Sequence, residues 1–358
     1  IERLGDYVIN ALEQPIPRDI NWVKDVELTR RNILHLMETV KVKKQEWVMI
    51  AGRISLHEEG KHDTKWRDTY DIWCCSSDKE AIGDDGNARY LTIELEEYLI
   101  GVVGAEMPAS FNLEALKAQA VAARTYAMSK IIKFEEVESD EHPRAPVCNT
   151  THCQVYKSTR ELIKSHGDDW KTNGYEKVKK ACKETEGEML YYEGQLVAQP
   201  LFFSSSGGQT ENSEDVFASA YPYLVSVSSP YEEGASHRNE EKIFSLKDVE
   251  EKINDTYKDR NTGELTISNI KILSRTGGGR VDKIQVGQST YKGTEIRNAL
   301  GLSSTMFSLG FAGDKIIITS NGYGHGVGMS QWGARGMAEN GFTYDQILHH
   351  YFTDIELE

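Results

Sequence analysis

The stretch that most constrains the fold is residues 113 to about 133, which has the pattern of one long helix. Asn112 stands just before it as a residue suited to the N-cap. Small side chains cover nearly every side of this helix: Ala115, Ala118, Ala120, Ala122, Ala123 and Ala127. A helix without a polar face packs against neighbours on most sides. The sequence therefore predicts a central, Ala-rich helix.

Helical and strand-like segments surround this helix without a regular βαβ alternation. A further helix is predicted from Asn173, with Glu176 completing a capping box, and another over 245–254. Strands are predicted over 188–192, 196–204, 265–273, 280–286 and 315–319. This mixture predicts an α+β fold, with helices and strands around the central helix and a substrate cleft.

The chain is 358 residues long, which at about 150 residues per domain suggests two or three domains. Residues 1–88 are predicted to be a small separate N-terminal unit of unassigned role, ending near the Gly-Asp-Asp-Gly turn at 83–86. Residues 89–358 are predicted to form the main domain, with about 240–310 as a candidate sub-domain.

Charge excludes one class of partner. Lys and Arg number 41 against 56 Asp and Glu, for a net charge of −15, whereas nucleic-acid binding needs a basic footprint. No apolar run approaches the roughly 18 residues of a membrane span. Because the chain begins at Ile1, we expect a signal peptide or anchor upstream.

One carboxylate, Glu106, lies among the small and apolar residues of 101–108. Partial burial there would raise its pKa and make it a usable general acid. The alternative is an ordinary solvated glutamate. Lys117 and Arg124 are seven residues apart on the central helix and share one face. An arginine in such surroundings either faces a cleft or pairs with an acid inside the fold.

Two Gly-rich loops, 203–210 and 322–333, are rich in hydroxyl and amide groups. Glycines let a ligand approach the backbone closely, so both loops suit a neutral, hydroxyl-rich ligand such as a sugar. The alternative is a pair of structural turns.

Five cysteines are too few for a disulfide scaffold, and Cys74, Cys75 and Cys182 are predicted to be ordinary thiols. Two cysteines and two histidines within twelve residues form a mixed thiolate and imidazole ligand set, which favours zinc: His142, Cys148, His152 and Cys153. The alternatives for its two cysteines are a local disulfide or two free thiols.

Several of these segments together closely resemble the stage II sporulation protein D family. The resemblance spans about residues 90–355 and leaves 1–90 uncovered. Its motifs, in the expected order, are IGVVGAEMP (100–108), LKAQAVAARTY (116–126), CQVY (153–156), SSSGGQT (204–210), GTEIR (293–297) and GHGVGMSQWGA (324–334).

The resemblance implies a lytic transglycosylase of peptidoglycan, acting in engulfment during endospore formation. Such an enzyme cuts the β-1,4 bond between N-acetylmuramic acid and N-acetylglucosamine, and leaves a 1,6-anhydro end. It favours strands whose stem peptides a partner amidase has removed. The resemblance also implies Glu106 as the catalytic acid and zinc held by Cys148 and Cys153, with His142 and His152 as further ligands.

One carboxyl suffices for such a reaction, because the C6 hydroxyl of the sugar replaces water, whereas ordinary glycosidases need two carboxyls. The lactyl carboxylate of the muramic acid is expected to contact Lys117 or Arg124. The sugar rings are expected to contact Ser205, Ser206, Gly207, Gly208, Thr210, His325 and Gln331. We expect the protein to face the cell wall outside the cytoplasm. The alternatives are a non-catalytic activator of a cell-wall amidase and a zinc-dependent cell-wall hydrolase.

Overall fold

The computed structural model describes residues 69–73, 90–136 and 145–358, all of them in the compact unit Thr69–Glu358. Its helices are α1 Leu95–Glu106, α2 Leu113–Glu136, α3 Thr159–His166, α4 Tyr175–Glu184, α5 Ser213–Val216, α6 Leu246–Thr256, α7 Gly293–Leu300, α8 Gln331–Glu339 and α9 Tyr344–Tyr351. Its strands are β1 Thr69–Trp73, β2 Tyr90–Glu94, β3 Val147–Cys148, β4 Leu190–Tyr192, β5 Gln195–Leu196, β6 Phe202–Phe203, β7 Glu240–Ser245, β8 Ile270–Arg275, β9 Val281–Val286, β10 Ser289–Lys292, β11 Phe307–Ala312, β12 Lys315–Ser320, β13 Met329–Ser330 and β14 Glu356–Leu357.

The predicted α+β class is confirmed, and the described strands form small sheets. Written so that adjacent strands are hydrogen-bonded to each other, the sheets are β2-β1-β3, β10-β9-β8, β11-β12-β7, β13-β6 and β14-β4-β5. The chain divides between Asp68 and Thr69, and β1 pairs with β2 and β3. The expectations for residues 1–68, and those for Cys74, Cys75 and His142, lie outside the described residues. No helix in the described ranges combines the length and the apolar composition of a membrane span.

The predicted central helix is confirmed as α2. It begins as expected, with the Asn112 side-chain oxygen accepting from the backbone N–H of Glu114 at 3.1 Å. Its alanines are almost fully buried, and α1, α4, α8 and α9 all pack against it. Small side chains let those helices approach closely on every side, which is why the hydrophobic core of the first lobe forms around α2.

Helix α8 uses glycine for the same purpose. A Cβ on Gly336 would overlap the backbone carbonyl of Tyr231, and a Cβ on Gly333 would overlap the Tyr351 hydroxyl. The helix therefore packs closely against a backbone carbonyl at one glycine and a buried hydroxyl at the other. Its first residue, Gln331, is buried.

A second lobe is built between residues 240 and 320, where the sequence predicts a sub-domain. The sheets β8-β9-β10 and β7-β12-β11 are antiparallel, and α6 and α7 cover them. This lobe has a hydrophobic cluster of its own, which includes Ile253, Ile284, Ile296 and Ile316.

Two local predictions are wrong. The predicted helix start at Asn173 falls inside a π-helical turn, Trp170–Gly174, and Asn173 donates to the Asp169 carboxylate instead of capping a helix. The predicted strand over 196–204 is two short strands, β5 and β6, with different partners. Strand β6 pairs in parallel with β13, which joins the two Gly-rich loops side by side.

Candidate active site

A cleft of about 1040 Å³ opens where the end of α1, one side of α2, residues 151–153, β6 and the second Gly-rich loop meet. The second lobe contributes Arg297 from α7 to the same cleft. Of the predicted catalytic, substrate-binding and metal-binding residues, the structure brings five to this wall: Glu106, His152, Cys153, His325 and Gln331.

Glu106 is the last residue of α1, and its carboxyl group is partly buried in the cleft wall. Its Oε1 accepts from the backbone N–H of Val155 at 2.6 Å, and the side-chain amide of Gln331 also donates to it. Burial raises the pKa of Glu106, and these two donors only partly oppose that effect. The C-terminal end of a helix also disfavours a negative charge. Glu106 therefore keeps its proton to a higher pH than an ordinary glutamate does.

Three helices position this carboxyl group. Glu106 ends α1, Gln331 begins α8, and Gln119 lies on α2. The amide nitrogen of Gln331 donates to the side-chain oxygen of Gln119 at 3.2 Å, and both amides are buried. The donor that faces Glu106 is therefore held in place from behind, so its orientation does not depend on a ligand.

Glu106 supplies the only carboxylate among the described residues that line the cleft. The cationic side chains of the lining are Lys130, Lys133 and Arg297. Two exposed aromatic side chains, Phe217 and Tyr323, also line it. The cleft wall therefore combines one acid, several cations and flat apolar surfaces.

Cys148, His152 and Cys153 lie together beside the cleft. Their ligand atoms are all within 4.8 Å of one another, and the His152 Nδ1 lies 3.9 Å from the Cys148 Sγ and 3.6 Å from the Cys153 Sγ. Both cysteines are free thiols, so the alternative of a local disulfide is not realised. A hydrogen bond from Cys153 and others from Thr150 lower the pKa of Cys148, which favours the thiolate that binds metal.

The first Gly-rich loop is a buried turn. The backbone N–H groups of Ser206 and Gly207 donate to the Glu232 carboxylate at 2.8–3.0 Å, and Thr210 Oγ1 accepts from the backbone N–H of Val227 at 2.8 Å. None of the predicted sugar contacts in this loop lines the cleft: Ser205, Ser206, Gly207, Gly208 and Thr210. The structural alternative therefore describes these residues, because they are buried or turned away from the cleft and the donors of Ser206, Gly207, Gly208 and Thr210 are used inside the fold.

His325 in the second loop lines the cleft in a fixed, neutral form. Its Nε2 lies 3.1 Å from the carbonyl oxygen of Phe202, and its Nδ1 accepts from the backbone N–H of Val327 at 3.1 Å. A carbonyl can only accept, so Nε2 carries the proton. Burial lowers the pKa of His325 to about 4, which keeps the ring uncharged at neutral pH. His325 thereby ties β6 to the second loop.

Neither Lys117 nor Arg124 reaches the cleft, which corrects their predicted contact with glycan. Arg124 is 1% exposed and donates to both Glu96 carboxylate oxygens, at 2.7 and 2.8 Å, and to two backbone carbonyls. Lys117 pairs with Glu114 and Glu184 at 3.0 and 2.7 Å. The internal ion pair is the interpretation that the structure supports for Arg124.

Several cleft residues were not assigned by sequence reasoning. Arg297 and Tyr323 stand in or beside the motifs 293–297 and 324–334, so the motifs pointed near them without giving them a role. Lys130 and Phe217 carried no sequence signal, because a lone lysine or phenylalanine is common on any helix or loop.

The described residues define an α+β protein with one desolvated carboxyl group in an open cleft, beside a Cys-His-Cys cluster. The sequence profile of the family described as "Stage II sporulation protein" matches residues 85–192. Stage II sporulation protein D of Bacillus subtilis is 40% identical over 272 residues, which is 76% of each chain. Its counterpart from Bacillus amyloliquefaciens is 40% identical over 267 residues, 74% of each chain.

A more distant relative is the amidase enhancer of Bacillus subtilis, 30% identical over 71% of this chain and 39% of that protein. The extent and identity of the sporulation matches decide the assignment. This chain belongs to the stage II sporulation protein D family.

The placement of Arg124 predicts a loss of stability on substitution. Arg124→Met leaves Glu96 and two carbonyls without their donor. We therefore expect the free energy of unfolding to fall by about 3 kcal/mol. Lys117→Met removes only solvent-accessible ion pairs and should cost about 1 kcal/mol or less. Urea denaturation of both variants measures the difference. Equal stabilities would contradict the structural role of Arg124.

Proposed function

We propose that this protein is a peptidoglycan lytic transglycosylase that acts in engulfment during endospore formation. It cleaves the β-1,4 bond between N-acetylmuramic acid and N-acetylglucosamine and leaves a 1,6-anhydro end. The observation that carries the proposal is the lone carboxyl group of the described cleft lining, Glu106, whose pKa burial raises. Hydrolysis by ordinary glycosidases uses two carboxyls on opposite sides of the bond.

A single carboxyl group can perform both proton transfers. Protonated Glu106 donates its proton to the glycosidic oxygen as the bond from that oxygen to C1 breaks. The resulting carboxylate then takes the proton of the C6 hydroxyl of the muramic acid while O6 bonds to C1. No water is consumed, and Glu106 is protonated again for the next cycle.

Two hydrogen-bond donors to Glu106 suit the stage of the cycle at which this residue is ionised. The Val155 N–H and the Gln331 amide both stabilise Glu106 in its ionised form, which exists between the two proton transfers. Burial favours the protonated form at the start. The same group therefore has one environment that favours giving its proton and two donors that favour the carboxylate left behind.

The cleft also suits a polysaccharide. Phe217 and Tyr323 are 40% and 47% exposed and offer flat apolar faces to sugar rings. The substrate class is a peptidoglycan strand that lacks stem peptides, and the expected partner is an amidase of the engulfment machinery. The proposed site of action is the cell-wall side of the membrane.

A second candidate function is activation of a cell-wall amidase without catalysis. It is favoured by the similarity to the amidase enhancer of Bacillus subtilis. The two functions differ in their need for Glu106, because an activator requires only a binding surface.

Zinc is the proposed metal of the Cys148, His152 and Cys153 cluster. Two thiols and an imidazole are a zinc-type donor set, and the lowered pKa of Cys148 fits a thiolate ligand. The fourth position is proposed for His142. When bound, zinc would supply a cross-link between β3 and the cleft wall and a positive charge beside it.

The product formed from peptide-free glycan strands tests the proposal. We expect wild-type protein to release 1,6-anhydro ends, which mass spectrometry distinguishes from reducing ends by one water. Glu106→Gln should lower the rate at least about 100-fold, because it removes the only proton donor at the bond. Glu97→Gln, an exposed position on the same helix, is the matched control.

Each other outcome favours a different function. Reducing ends would support a zinc-dependent hydrolase in which metal-activated water attacks. Stimulation of an amidase by Glu106→Gln at the wild-type level, with no glycan cleavage by either protein, would support the activator.

The pH dependence of kcat/KM tests whether Gln331 and burial set the pKa of Glu106. Because the protonated form starts the reaction, kcat/KM should fall as the pH rises through the raised pKa of Glu106. Gln331→Leu removes a donor to the carboxylate and raises that pKa further. The alkaline limb should then move to higher pH by about one unit, with a lower maximum rate. Gln199→Leu, in the same wall, should leave the limb in place; a shift in both variants or in neither would contradict the assignment.

Metal content tests the cluster. Elemental analysis of purified wild-type protein should find about one zinc per chain, and Cys148→Ser should reduce the amount several-fold because it removes a thiolate ligand. Cys182→Ser, a substitution at a buried cysteine of α4, should retain the metal. Purified wild-type protein that contains no zinc would contradict the proposed metal site.

A further inference from the structure

The second lobe delivers one cation to the cleft. Arg297 lies on α7, and its neighbours Ile296 and Leu300 are buried in the hydrophobic cluster of that lobe. The Nε of Arg297 donates to the carbonyl oxygen of Leu302 at 3.3 Å, which fixes the plane of the guanidinium. The second lobe thus holds a side chain that lines the cleft, with its Nε hydrogen-bonded to that lobe.

The two terminal amino groups of Arg297 have no hydrogen-bond acceptor among the described residues, and no described carboxylate pairs with them. Its charged neighbour inside the fold is another cation, Arg280. The ring of His325, which it also approaches, is neutral. A half-buried guanidinium in these surroundings is costly unless an anion arrives to pair with it.

The planar geometry of the guanidinium favours one kind of anion. Two parallel N–H groups match the two oxygens of a carboxylate. The other lining cations are less suited: Lys130 has its ammonium 4.9 Å from the Tyr126 ring, and Lys133 is exposed on a flexible stem. Arg297 is therefore the pre-oriented carboxylate receptor of this wall.

We propose that Arg297 binds the free lactyl carboxylate of a muramic acid residue and so selects glycan whose stem peptide has been removed. The inference rests on the proposed function for its substrate class. In a strand that still carries peptide, this carboxylate is an amide and offers no charge. Arg297 then distinguishes peptide-free strands from strands that carry peptide by the charge of the lactyl group. It lies in a different lobe from Glu106.

Binding without turnover provides the test. In the Glu106→Gln background, affinity is measured by calorimetry for peptide-free oligosaccharides and for the same oligosaccharides with their lactyl groups converted to methylamides. We expect the free-acid form to bind about 10-fold or more tightly, as a charge-assisted hydrogen-bonded pair would give. Adding Arg297→Gln should abolish that preference, and Arg297→Lys should retain part of it.

Arg160→Gln, on the exposed first turn of α3, is the control for a general change in charge and should keep the full preference. Thermal unfolding confirms that each variant is folded. If Arg297→Gln is not, Arg297→Lys carries the test, and a preference as large as that of the Glu106→Gln parent would overturn the proposal. A preference for the free acid that survives in both Arg297 variants would overturn the proposal. So would equal binding of the two oligosaccharides by the Glu106→Gln protein.

The activity arm separates this proposal from the one it rests on. If wild-type protein forms no anhydro ends from any strand, the proposed function fails, while the binding preference still reports on Arg297. If anhydro ends form, Arg297→Gln should raise KM on free-acid strands about 10-fold and leave methylamide strands unaffected. An equal loss on both strands would show that Arg297 acts on the fold of the cleft and not on the carboxylate.

Discussion

The buried carboxylate of Glu232 is the interaction on which the arrangement of the cleft depends. It accepts the backbone N–H groups of Ser206 and Gly207 from the first Gly-rich loop, and the hydroxyl groups of Ser229 and Ser330. A buried charge is tolerated only when its oxygens are fully hydrogen-bonded, so these donors cannot be given up separately. One carboxylate thereby fixes the first loop against the start of α8.

That constraint reaches the reacting carboxyl group and the second lobe. Because Ser330 caps α8, the same anchor positions Gln331, which donates to Glu106. Arg280, at the start of β9, donates to the carbonyl of Ser206 and lies 3.6 Å from the Glu211 carboxylate. The lobe that holds Arg297 is thus joined to the first loop by a buried hydrogen bond, and to the residue that follows the loop by a buried ion pair. The cleft walls therefore form one connected network.

Within the site, the sequence indicates the positions of some residues and not the surroundings of others. The sequence points to Glu106 because an acid among small apolar residues is unusual, and to the Cys-His cluster because its members are close along the chain. Lys117 and Arg124 were misassigned as glycan contacts because helical spacing gives a shared face but not what covers it. In the structure α4 and Glu96 cover that face. The predicted sugar contacts of the first Gly-rich loop do not line the cleft, and two of its backbone donors satisfy Glu232, a residue 25 positions away from Gly207.

The sequence by itself determined the α+β class, the central helix α2, its N-cap and the position of the acid, since these follow from local periodicity, side-chain size and capping chemistry. Tertiary structure alone decided which polar groups remain available to a ligand. Arg124 and Arg297 look equivalent in the sequence, yet one is enclosed by Glu96 and two carbonyls while the other reaches the cleft. Only long-range packing brings together the partners that satisfy a charge or leave it free to bind.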